Sequence, residues 1–378
     1  MKFIIAPDKF KGSLSGFQFC DAVEKGLRIV FPKAEIIQMP LADGGDGTID
    51  VVKYYLKGEK IKVKVNDPFF RSIEASYLYA KKSKIAFIEM AEASGLKLLS
   101  EEEKNCLESS TLGTGELILD AIKKGVSEII LGIGGSATND GGMGMAKALG
   151  FRFFDSKGQE LEPIGRNLIH VHTIDESQAI PRLKEVTFKI ACDVANPFYG
   201  ANGAAHVYAA QKGASNLEIH QLDLGLQNYA SVIAEQFDID LQKINGSGAA
   251  GGIGGGAIVF LNGTLTSGIA LIKELANFDS AIKAAHWIIT GEGKLDDQTL
   301  SGKTISGVVT SAQKQNIPVA AFCGSVHLSV ETQIAVNLSY VTSIVIGPCS
   351  LETAIKSSFS NLKQAAFNFA KLLKVSST

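Results

Sequence analysis

Hydrophobic and polar positions along this chain fall into two alternating textures, and their order predicts an α/β protein built in two parts. Residues 2–6 form a short apolar run, a strand, and Cys20, Val23, Leu27 and Val30 then recur at spacings of three and four, which marks a helix over 17–31 ended by Pro32. A second strand follows at 35–39 and a helix at 48–56. From residue 61 the texture changes. Segments 61–65, 72–79 and 84–90 are separated by Asn66-Asp67-Pro68 and a lysine-rich turn at 81–84, as antiparallel strands opening a second domain would be. A helix through Ala121 stops near Gly125, and an apolar run at 129–133 reads as a buried strand, followed by a glycine-rich loop and a helix over 143–149. Strands at 186–192, 286–290, 319–323 and 343–346 complete the pattern, the last ones resuming the parallel texture of residues 1–60. The expected fold is α/β in two domains. A discontinuous Rossmann-like parallel-sheet domain takes residues 1–60 and 280–378, and a second α/β mixed-sheet domain, 61–279, is inserted into it, with the active site in the cleft between them.

Composition supports this division. A chain of 378 residues suits two domains at roughly 150 residues each. A hydrophobic share of 46%, a charged share of 20%, and 39 glycines against 9 prolines indicate close turns rather than disorder. The net charge of −2 leaves no electrostatic footprint for nucleic acid, so an acidic substrate must be held by local lysines. Cys20, Cys106, Cys192, Cys323 and Cys349 show no paired or metal-type spacing, which argues for a reducing compartment. The apolar run at 3–6 is too short for a signal peptide, and no run approaches the ~18 residues of a membrane span. A cytoplasmic protein is expected. A homo-oligomer is allowed by the sequence but not indicated by it.

The chemistry lies in loops that follow strands. In an open parallel sheet these loops meet at one edge, where ligands bind. The first carries Asp8, Lys9, Lys11 and Ser13; its lysines can clamp a carboxylate or a phosphate, or simply be solvated. The second, Asp43-Gly44-Gly45-Asp46, brings two carboxylates together as a metal ligand and a general base require, although Asp and Gly also form ordinary turns. Ser110, Thr111, Gly113, Thr114 and Gly115 open a helix and can contact phosphate or only cap it. The loop after 129–133 holds Gly134, Gly135, Ser136, Asn139 and Asp140, where glycines let backbone N–H groups face an anion. Asp193 follows the strand at 186–192, and His170 and His172 alternate on what reads as a strand face without metal-type neighbours. Seven glycines within 246–256 indicate close approach of a backbone or ligand, or a hinge. After 286–290 come Glu292, Lys294, Asp296, Asp297 and Lys303. Gly302-Lys303-Thr304 is not a P-loop, because Asp297 stands where that motif needs glycine.

Taken in order, the segments at 6–15, 42–48, 132–142, 192–197 and 290–296 closely resemble the type-1 glycerate kinases, and the resemblance runs along nearly the whole chain. It implies phosphorylation of D-glycerate by ATP with Mg2+, with 2-phosphoglycerate favoured over 3-phosphoglycerate. On that reading Lys9, Lys11, Ser13 and Asp8 hold the substrate, and Asp43, Asp46, Lys9 and Asp193 are catalytic candidates. Ser110, Thr111, Gly113, Thr114, Gly115, Gly134, Gly135, Ser136, Asn139, Glu292 and Lys303 surround the nucleotide phosphates, and Asp193 and Asp296 are candidates for the metal. Lys294 stands where many members have Arg, and Ile305 where many have Pro. The rival class is an oxidoreductase: Gly132-Ile133-Gly134-Gly135-Ser136-Ala137 fits a relaxed dinucleotide fingerprint, with Asp155 at the distance of a ribose-binding acid, yet Thr138 to Gly142 prolong the loop before its helix. A kinase of another small hydroxy acid and a non-catalytic acid-binding protein are the remaining alternatives.

Overall fold

The computed structural model describes residues 1–43, 48–296 and 304–376. Two strand-and-helix units separate along the chain, Met1–Tyr55 with Ser267–Thr378, and Leu56–Thr266. The strands of the two main sheets are, in chain order, β1 (Lys2–Ile5), β2 (Glu35–Gln38), β3 (Glu59–Asn66), β4 (Ser72–Ala80), β5 (Ile85–Glu89), β6 (Glu128–Gly132), β7 (Thr187–Ala191), β8 (Thr264–Thr266), β9 (Trp287–Thr290), β10 (Val319–Cys323) and β11 (Tyr340–Ser343). The helices that matter below are α1 (Gly16–Val30), α2 (Leu112–Lys123), α3 (Met143–Ala148), α4 (Asn216–Phe237), α5 (Ile253–Leu261), α6 (Gly268–Leu275), α7 (Thr304–Gln313) and α8 (Leu351–Ser376).

The first unit is a five-stranded sheet in the order β11-β10-β9-β1-β2, with every neighbouring pair parallel. Phe3 and Ile5 of β1, Phe19, Val23 and Leu27 of α1, Phe322 of β10 and Phe369 of α8 form its core. Helix α1 starts where it does because Ser15 and Gln18 cap each other reciprocally, and its apolar face then falls on the sheet. The strand over 340–343 begins and ends earlier than the expected 343–346. Ile344 is buried, but Ile346 is largely exposed, so the apolar run there is not a core strand, whereas Tyr340 stacks on Phe322 and Phe369.

In the second unit a six-stranded mixed sheet runs in the order β8-β7-β6-β5-β4-β3. Strands β8, β7, β6 and β5 are parallel; β4 and β3 are antiparallel additions. Thus β5 joins both textures, antiparallel to β4 and parallel to β6, where the pattern alone suggested only antiparallel pairing. The core includes Tyr77, Ile88, Leu117, Leu131, Phe153, Phe188, Tyr229 and Phe260. The unit starts and ends earlier than 61–279 because β3 pairs along its whole length with β4, while α6 belongs to the first unit: Lys273 on α6 donates to the Gly307 carbonyl of α7 at 3.0 Å. His170 and His172 are not on a strand. A 3₁₀ turn spans Gly165–His170, and both histidines are exposed.

Candidate active site

In the first unit all carboxyl ends of the strands lie along one edge, and the strand order reverses between β1 and β9. That reversal is the switch point where an open α/β sheet leaves room for a ligand. Pairing continues past both strands: Ala6 N–H donates to the Ile289 carbonyl at 2.7 Å and Asp8 N–H to the Gly291 carbonyl at 2.9 Å, so Asp8 is carried rigidly to the edge. Its Oδ1 accepts from the Lys9 N–H at 2.7 Å and its Oδ2 from the Thr304 hydroxyl at 2.5 Å. Burial, with a smaller contribution from the like charge of Asp43, raises the Asp8 carboxyl above the ordinary carboxylate range. Asp43 follows β2, is half-buried, and therefore shares this edge.

Beyond Lys9 the chain makes a tight turn, with Phe10 N–H on the Leu14 carbonyl at 2.7 Å and Gly12 at φ +75°, which presents Lys11 to solvent while Phe10 and Leu14 stay buried. Ser13 points elsewhere. Its hydroxyl donates to Ser358 Oγ at 2.7 Å on α8, which ties the loop to that helix. Past β9, Lys294 pairs with Asp296 at 2.7 Å, and the short strand Lys294–Leu295 lies parallel to Ser325–Val326 beyond β10. Glu292 is half-buried beside them, and its charge adds to the burial that pushes the Cys323 thiol up to about 12. The anticipated Asp46 and Lys303 lie outside the described residues.

The second unit offers a different edge. After β6 the chain rises to Gly134 and Gly135, both exposed; a Cβ on Gly134 would meet open space, and Gly135 sits at φ +73°. The Gly135 carbonyl accepts from Leu96 N–H and Ala137 N–H donates to the Ser94 carbonyl, each at 2.9 Å, which ties the base of the tip. Among the described residues the N–H groups of Gly134, Gly135 and Ser136 donate to no protein acceptor. Successive free amides at an exposed glycine turn suit an anion. Asp193 is exposed at the carboxyl end of neighbouring β7.

From Ser136 onward the loop turns inward. Ser136, Thr138, Asn139 and Asp140 are buried, and the Asn139 amide finds no protein partner among the described residues. Asn139 is therefore an interior group whose amide is left unpaired by the described protein residues. Asp140 accepts from Thr111 N–H at 2.8 Å, Thr111 Oγ1 at 2.7 Å, Gly142 N–H at 3.2 Å and Gly144 N–H at 3.0 Å. Burial still raises its pKa, against these donors. Residues 110–115, expected at the phosphates, also bond within this interior. Thr111 also accepts from Met145 N–H, Ser110 Oγ accepts from Leu112 N–H, and Thr114 bonds Ser94 at 2.7 Å. Gly113 and Gly115 are packing glycines, since a Cβ would lie 1.9 Å from the Asn66 carbonyl and 2.4 Å from that of Met145. The glycines at 246–256 likewise admit backbone: a Cβ on Gly251 would lie 2.0 Å from the Thr138 carbonyl, and one on Gly256 2.4 Å from that of Gly141.

Two residues escaped the reading of the sequence. Thr304, which orients Asp8, was visible only as part of a failed P-loop match. Lys212, fully interior, had no local signal at all. Among the described residues no three His, Cys, Asp or Glu side chains cluster as a metal cage, and no helix is long and apolar enough to cross a membrane.

Helix α3 begins at Met143, well after β6 ends at Gly132, whereas a dinucleotide turn enters its helix at once. An acidic, lysine-bearing edge in the first unit and, in the second, a glycine tip with free amides instead fit an α/β enzyme of the phosphoryl-transfer class, a kinase. Comparison with known proteins narrows the class: the chain belongs to the glycerate kinase family, whose model matches residues 3–374. A glycerate kinase from Bacillus cereus is 43% identical over 377 residues, covering 100% of this chain and 99% of its own. A glycerate 2-kinase from Escherichia coli is 40% identical over 375 residues, covering 99% and 98%. The crystal structure of a glycerate kinase 2 candidate from Salmonella typhimurium LT2 matches with a TM-score of 0.89 at 38% identity, covering 100% of this chain and 99% of the other.

Proposed function

We propose that this chain phosphorylates D-glycerate with ATP and Mg2+, placing the phosphoryl group on the 2-hydroxyl. The observation that carries the reading is the juxtaposition of Asp8, Lys9 and Asp43 at the switch point of a parallel sheet, in a chain of the glycerate kinase family. The choice of the 2-hydroxyl rests on the relative named glycerate 2-kinase. Lys9 and Lys11 neutralise the substrate carboxylate and the incoming phosphoryl group. Asp8, its oxygens engaged by Thr304 and the Lys9 amide, fixes the lysine loop. Asp43, half-buried on the same edge, is then the group that accepts the proton of the reacting hydroxyl. In the second unit the free amides at Gly134, Gly135 and Ser136 receive nucleotide phosphates.

Asp296 in the first unit is a residue that would hold magnesium, and Asp193 in the second unit is a separate candidate. Asp296 pairs with the Lys294 ammonium at 2.7 Å, so magnesium would have to share its carboxylate with that lysine or displace it. One or two carboxylates suffice, because magnesium completes its shell with water and phosphate oxygens. When bound, the ion supplies charge neutralisation on the phosphates.

Release of ADP measured with ATP, magnesium and D-glycerate, with phosphorus NMR of the product, tests the proposal. ADP release that requires all three, with the product phosphorus coupled to the C2 proton, is the expected result. Turnover only with a different hydroxy acid would overturn the substrate, and 3-phosphoglycerate would overturn the position.

A further inference from the structure

Beneath the Gly134–Gly135 tip lies a charged group with no role in the scheme above. Lys212, 2% exposed, closes the 3₁₀ turn Ala210–Lys212, and Gly213 after it turns the chain back at φ +91°. Its Nζ donates to Ser136 Oγ at 2.8 Å and to the Thr138 carbonyl at 2.6 Å. These two acceptors flank Ala137, whose N–H is bonded to the Ser94 carbonyl. The stem of the tip is therefore held from one side by the strand-like contact with Ser94–Leu96 and from below by a single ammonium.

Burying an ammonium is costly, and a structural filler would be cheaper as an apolar side chain of the same length. Nor does an ion pair justify it: among the described residues no carboxylate lies within salt-bridge distance of Nζ. Two ionisable groups act on it, Asp140, already answered by four donors, and the buried Cys106 thiol. What Lys212 does uniquely is to pin two points of one loop stem with one donor group. We infer that Lys212 is a positioning residue, which holds the Gly134–Ser136 amides in register for nucleotide phosphates without touching the nucleotide itself. This rests on the assignment of the tip to phosphate.

Three variants test it, with steady-state constants for ATP and glycerate and direct ADP binding by calorimetry. Lys212→Met keeps length and packing but removes both bonds; ADP affinity and the KM for ATP should weaken about tenfold or more, while the KM for glycerate stays within twofold. Ser136→Ala breaks one of the two bonds with little risk to folding and should weaken ADP in the same direction by a few-fold. In the double variant the losses should not add, since both remove the same contact. An unchanged KM for ATP in Ser136→Ala, additive losses, or equal damage to both substrates would overturn the inference. Gly134→Asp, where a side chain meets open space, tests the underlying reading separately, because a carboxylate at the tip should repel phosphates. Normal ADP binding in that variant would remove the phosphate assignment itself; weak binding there with normal binding in Lys212→Met would remove only the role of Lys212.

Discussion

Two carboxyls on one sheet edge have opposite consequences for stability and for activity. A carboxyl raised in the folded chain, as Asp8 is by burial, binds its proton more tightly there than when unfolded. Its favourable contribution is complete below about pH 3.8 and is lost as pH rises through the higher folded value, above which the carboxylate is a net cost. Asp8→Asn, which can still accept from Thr304, should raise the melting temperature at pH 7 by on the order of 1–2 °C while lowering turnover. Asp43→Asn should cut turnover by at least ~100-fold with no comparable change in melting; near-normal activity would remove Asp43 as the base. Lys212 has the opposite linkage. Burial lowers its pKa from 10.5 to about 8, so between those values the unfolded chain binds a proton that the folded chain has released. Stability therefore rises with pH across that window, by on the order of 3 kcal/mol from this one group. Urea titrations at pH 7.5 and 10 should show Lys212→Met losing ground against the natural protein at the higher pH; parallel curves would contradict the assignment.

At the level of elements, glycine-rich segments that look alike in sequence do unlike work. Gly251, at φ +77° and with the Thr138 carbonyl 2.0 Å from where a Cβ would stand, holds the segment against the loop that carries Asn139 and Asp140. Gly251→Ala should destabilise the protein by about 3 kcal/mol or more, whereas Gly134→Ala should melt within about 1 kcal/mol of the natural chain. Thermal denaturation followed by circular dichroism separates the two. A run such as 246–256 announces only that something comes close. Whether it is a ligand or another backbone depends on what packs against it, and here α5 and its preceding turn bring up the loop at 138–142. The helix at 112–123 teaches the same lesson: its Ser-Thr-Gly opening has the composition of a phosphate loop, yet Thr111 and Thr114 spend their hydroxyls on Asp140 and Ser94.

At the scale of the molecule, the second unit is one uninterrupted stretch with its own core, from Tyr77 to Phe260, while the first is assembled from two distant pieces of chain. Residues 56–266 expressed alone should unfold cooperatively, because every strand of their sheet is present. The pieces 1–55 and 267–378 should each fail to do so, since β1 needs β9 as a neighbour and α1 packs on Phe369 of α8. A non-cooperative 56–266 fragment would contradict this division.

Local sequence determined the element types, the two textures and the loops that reach a strand's carboxyl end, because these depend on spacing within a few residues. It also carried the family, since long motifs recur in order from the first strand to the last. What it left open was which side of each loop faces solvent. Ser13, Thr111 and Thr114, which had the chemistry of ligands, bond protein partners, and Asn139 is buried without one, while Lys212, in a stretch without a motif, reached a loop 76 residues earlier in the chain. Hydrogen-bond partners so far apart are fixed only when helices and strands have packed, and that packing decides which polar groups remain to meet a substrate.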